Sequence, residues 1–61
     1  MADEQRWEYC YLRIRIIYNL MSGTRLFEGS PEECWTYASR NGWQLVNVDG
    51  GIAYFKRPLA G

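Results

Sequence analysis

The hydrophobic positions of this chain change period along its length, and each change predicts an element. From Trp7 to Tyr18 β-branched and aromatic residues alternate with polar ones, with neither Gly nor Pro between them, which predicts one long strand. A period of two puts Cys10, Leu12, Ile14, Ile16 and Tyr18 on one face. Trp7, Tyr9, Tyr11, Arg13 and Arg15 fall on the other. Asn19-Leu20-Met21-Ser22-Gly23 then carries turn residues, and Thr24-Arg25-Leu26-Phe27-Glu28 can form a short returning strand.

Gly29 ends that strand, and Ser30-Pro31-Glu32-Glu33 is a helix start. The Ser30 hydroxyl can accept from the Glu33 N–H while the Glu33 carboxylate reaches back to the Ser30 N–H, and Pro31 fills the first helical position, where a missing donor costs nothing. The helix should run from Pro31 to about Asn41 and stop at Gly42, the residue best able to take a left-handed cap. Cys34 and Ala38 supply its inward stripe together with Trp35 or Tyr37; two large aromatics cannot both reach the core centre, so one belongs on a rim.

Period two returns from Gly42 to Pro58, with Asp49-Gly50-Gly51 marking a hairpin turn. If Gly50-Gly51 is the turn pair, Val48 faces Ala53 and Val46 faces Phe55, giving one apolar side. The opposite side then carries Trp43, Leu45, Asn47, Tyr54 and Lys56. The predicted fold is α+β: an antiparallel sheet of three to four strands with one helix on one face, in the order ββαββ. Residues 7–61 form the single domain, and residues 1–6 form an N-terminal tail.

Trp7-Glu8-Tyr9, Gly42-Trp43-Gln44-Leu45-Val46 and Phe55-Lys56-Arg57-Pro58, in that order, resemble a family of small bacterial and phage proteins classed as a domain of unknown function, with the pattern W-E-Y, G-W-E-L-V and F-K-R-P-L. Gln44 replaces the usual Glu, and the first strand is longer and richer in Arg. The resemblance implies a compact α+β domain and transfers no catalytic residue.

Composition narrows the chemistry. The 61 residues contain no His and only two Cys, without a CxxC pair, so neither a zinc site nor a Ser-His or Cys-His nucleophile is expected. No cofactor is implied. Met1 to Gln5 is polar and acidic, unlike a secretory leader, which points to the cytoplasm and to Cys10 and Cys34 as buried thiols. No apolar run is long enough for a membrane span. Seven basic and seven acidic residues leave no net charge, which makes nucleic acid an unlikely partner.

A domain this short buries only about 60% of its unfolded surface and needs outside help. One helix covers one sheet face, which leaves Tyr9, Tyr11, Arg13, Arg15, Trp43, Leu45 and Tyr54 on a face too aromatic for ordinary solvent contact. Self-association into a dimer or larger homo-oligomer, or binding of a protein partner, is the leading reading, and the protein is expected not to be an enzyme. A small anionic ligand such as a nucleotide, held by Arg13 and Arg15 beside Tyr9 or Tyr11, is the second.

Overall fold

The computed structural model describes residues 6–59, so residues 1–5 of the predicted tail lie outside it. Arg6 belongs to the fold, because its carbonyl accepts from the Leu59 N–H at 2.9 Å. The elements are β1 (Trp7–Arg13), β2 (Ile16–Asn19), β3 (Arg25–Glu28), α1 (Pro31–Arg40), β4 (Gln44–Asp49) and β5 (Ile52–Pro58). They form one antiparallel sheet in the order β3-β2-β1-β5-β4, with α1 on one face. The α+β class and the single helix are as expected; the sheet has five strands rather than three or four, and the order is βββαββ.

The extra strand arises where the sequence pattern looked uninterrupted. Residues 7–18 are not one strand, because Arg13 pairs directly with Ile16 and leaves Ile14-Arg15 as a two-residue turn. Ile14 has φ 61°, a conformation that hairpin turns usually assign to Gly and that a β-branched residue adopts only at a cost. The turn reverses the face assignment beyond it. Ile17 pairs with Leu12 and is fully buried, Ile16 and Tyr18 pass to the open face, and Ile14 stands 75% exposed at the tip. Ile14→Gly is therefore expected to stabilise the fold by about 1 kcal/mol, since only backbone strain is removed. A thermal melt should show a rise of roughly 4–8 °C; a fall would mean that Ile14 packs against something.

The helix is closed at both ends as its sequence prescribes. At its start the capping box is complete: the Ser30 N–H donates to Glu33 Oε1 at 2.8 Å, and the Glu33 N–H donates to Ser30 Oγ at 3.2 Å. At its end Gly42 (φ 77°) donates to the Ser39 carbonyl and Trp43 donates to the Ala38 carbonyl at 2.9 Å, the paired bonds of a Schellman motif. Trp43 thereby tucks under the last helical turn instead of starting the strand.

Cys34 and Ala38 point into the core with Cys10, Leu12, Ile17, Trp43, Ala53 and Phe55. On one flank of α1, Tyr37 stacks on Phe27 of β3 with centroids 4.6 Å apart; on the other, Trp35 meets Phe55 of β5 edge-on at 5.3 Å. Tyr37 is partly buried against the core and Trp35, 42% exposed, takes the rim position. Burial pushes the Cys10 thiol up to about 12 and also raises Cys34, whose Sγ donates to the Arg15 carbonyl at 3.4 Å. Both remain free thiols.

The last hairpin turns at Gly50-Gly51, both with positive φ, and Val48 faces Ala53 as predicted. A register shift between Leu45 and Asn47 then changes the pairing: Phe55 faces Leu45, not Val46, and Tyr54 faces Asn47. An inserted residue of this kind reverses the alternation on one side of the bulge.

Candidate functional site

The helix-free face carries a row of side chains that crosses all five strands. Strand pairing aligns Arg25 (β3), Tyr18 (β2), Tyr11 (β1), Tyr54 (β5) and Asn47 (β4) in succession. The rings of Tyr11 and Tyr18 stack at 5.3 Å and 27°, and Tyr54 lies 6.4 Å from Tyr11 at 43°. Below this row, Tyr9 pairs with Lys56, whose ammonium lies 4.4 Å from the centroid of the Trp7 ring. Above it, Ile16, Arg13 and Ile52 form a second row, flanked by Glu28 and Asp49 at the two edges.

The ring spacing constrains what this face can do. Two rings lying flat side by side on a sheet need centroids more than about 6 Å apart, given carbon contacts of roughly 3.5–4 Å. At 5.3 Å and 27°, Tyr11 and Tyr18 stack on one another, so each covers part of the other's π-surface. Such a surface suits apolar packing combined with hydrogen bonding from the phenol groups. It is a poor platform for stacking bases.

Of the seven residues singled out from the sequence, Tyr9, Tyr11, Arg13 and Tyr54 share this face. Arg15, Trp43 and Leu45 do not. Arg15 occupies the β1–β2 turn, where its carbonyl accepts from the Cys34 thiol of the helix. Leu45 lies opposite Phe55, also on the helix side. Trp43 is only 6% exposed. Tyr18 is the member the sequence reading missed, because nothing in Ile14-Arg15 announces the turn that brings it across.

Trp43 instead forms the centre of a brace. The Arg57 guanidinium lies 4.2 Å above its ring, pairs through Nε with the Glu8 carboxylate, and donates from Nη1 to the Asn41 carbonyl at 2.7 Å. This places a cation at the helix C-terminus, where the unsatisfied carbonyls concentrate negative potential. Glu8, Trp43 and Arg57 come from the three separate sequence motifs, so those motifs meet in space as a structural clamp joining β1, β5 and the end of α1.

A groove of about 500 Å³ runs beside α1, lined by Phe27, Tyr37, Thr36 and Arg40 with Glu32 and Glu33. Glu33 is engaged by the helix cap, and the groove gathers no pair of groups placed for acid–base work. Among the described residues no group of three or more His, Cys, Asp or Glu could hold a metal ion, and no helix is long and apolar enough to cross a membrane. No family model, curated protein or solved structure matches the chain.

Proposed function

We propose that the protein is a non-enzymatic homo-oligomeric interaction protein whose copies pack through the open sheet face. The observation that carries this reading is the contiguous tyrosine row Tyr18-Tyr11-Tyr54 on the face that α1 leaves uncovered. Rings that fill the middle of a sheet face, with Ile16 and Ile52 beside them, gain most when a second apolar surface excludes water from them. Charges of both signs frame the row, with Arg13 and Lys56 near its centre and Glu28 and Asp49 at the edges. A second copy of the same face can complement such a pattern, and a two-fold arrangement repeats each contact. The added burial also widens the thin stability margin of a domain of this length.

The anion-binding alternative is weakened by the placement of Arg13 within the open face of β1 and Arg15 in the β1–β2 turn. Tyr54→Lys tests the leading reading. It places a third cation beside Lys56 and Arg13 on a half-buried, helix-free surface. Sedimentation is expected to show at least 30-fold weaker association, the equivalent of about 2 kcal/mol for a central aromatic residue, with an unchanged far-UV spectrum. An unaltered assembly mass would overturn the role of this face.

A further inference from the structure

The two edges of the sheet are built differently. The β3 edge is four residues long, carries Arg25 and Glu28 at its ends in an ion pair of 3.1 Å, and has α1 stacked on its Phe27 through Tyr37. Short length, charge and a covering element are the usual means of keeping an edge from pairing with another chain. The β4 edge has in their place a mid-strand bulge. Its six residues Gln44–Asp49 are exposed throughout, include no Lys, Arg or Pro, and hold one charge, at the very end.

The apolar surface beside β4 is equally uneven. Trp35 is 42% exposed, Leu45 52%, Val46 53% and Val48 55%. The mid-strand bulge sets Leu45 opposite Phe55 and Val48 opposite Ala53, so two residues three apart both lie on the helix side. Trp35 closes on Phe55, and Leu45, Val46 and Val48 remain more than half exposed. A strip of apolar side chains therefore runs along a strand whose outer edge has no partner strand among the described residues.

We propose that β4 is a second homotypic interface, in which Gln44–Asp49 pairs antiparallel with the same strand of another copy about a two-fold axis. The register that centres the axis between Val46 and Asn47 sets Gln44 against Asp49, Leu45 against Val48, and Val46 against Asn47 of the second copy. No like charges meet. Leu45 and Val48 share a face in each chain, so they also share one across the junction. The four exposed side chains offer at most on the order of 400 Å² per copy, so a pair covers up to about 800 Å², and the strand backbones must supply the remainder of the ~1,000 Å² that a specific interface has to clear. Main-chain hydrogen bonds along the newly paired edge add to this. The edge contact uses none of the tyrosine row, so each interface can fail without the other, and with two-fold axes that intersect at right angles both together build a closed assembly of four copies.

The test is the double variant Leu45→Lys/Val48→Lys in the full chain, measured by native mass spectrometry. Both positions are half exposed, and the register puts Lys against Lys at each pair. The copy number is expected to halve, and mixing with Leu45→Glu/Val48→Glu is expected to restore it through opposite charges. An unchanged copy number, or a mixture that does not reassemble, overturns the proposal, whatever Tyr54→Lys does. Amide hydrogen exchange on the unmodified chain gives a second reading that needs no variant. The β4 amides not bonded to β5 should be protected by on the order of tenfold or more; exchange at the free rate rules the pairing out.

Discussion

Ile17→Ala is expected to lower the melting midpoint by more than about 10 °C. Ile17 is fully buried, pairs with Leu12 on one side and with Phe27 on the other, and belongs to the cluster beneath Cys34 and Ala38 of the helix. Truncating a buried Ile to Ala costs about 2–5 kcal/mol, because the lost transfer energy is joined by the energy of the cavity left behind. A domain of this length has a total stability of roughly 3–9 kcal/mol, so the change removes a large share of it. The same truncation at Ile14, exposed at the hairpin tip, should barely move the midpoint. Thermal melts of the two variants side by side check the face assignment: comparable losses would return Ile14 to the core and restore the uninterrupted strand.

Trp43 carries the second large effect, and its substitutions separate packing from polarity. Trp43→Ala should cost about 3–5 kcal/mol through the cavity alone. It also strips the surface under Arg57, which holds Glu8 and the Asn41 carbonyl in place. Trp43→Phe should be far milder. The indole Nε1 is buried without a hydrogen-bond partner among the described residues, and such a donor costs about 1–3 kcal/mol of desolvation, which Phe relieves while retaining a ring. Melts should therefore place Trp43→Phe within about 1 kcal/mol of the parent chain. Equal destabilisation by Phe and Ala would show that Nε1 has a partner after all. Normal folding of Trp43→Ala with a changed assembly mass would return Trp43 to the surface where alternation had placed it.

The parts of the fold legible in the sequence are those written in residues with one strong conformational reading. Ser30-Pro31-Glu32-Glu33 and Gly42 bound the helix, and Gly50-Gly51 turns the last hairpin, because capping and positive φ leave few alternatives. The parts that were not legible depend on tertiary balance. Ile14-Arg15 contains no turn-forming residue, yet the chain reverses there, since the reversal buries Ile17 against Leu12 and brings Tyr18 onto Tyr11. Val46 is inserted into β4 without a Gly to mark the bulge. Trp43 looked like a strand residue and is the capping partner of Ala38. Each case shifts the phase of an alternating pattern by one residue, which moves side chains to the opposite face. Tyr9, Tyr11, Arg13 and Tyr54 kept their face because no such shift precedes them within β1 or β5. The open aromatic surface was thus foreseen in kind, while its centre, the three-ring row, depended on a turn that local propensity does not reveal.

The single chain leaves two apolar surfaces, the tyrosine row and the bare β4 edge, and we propose that a second copy completes them. Sedimentation equilibrium of the unmodified protein at tens of micromolar tests it most directly. The predicted result is a mass that is a multiple of the 7.2 kDa chain, two copies if the tyrosine face acts alone and four if β4 also pairs. A single species of 7.2 kDa would contradict it.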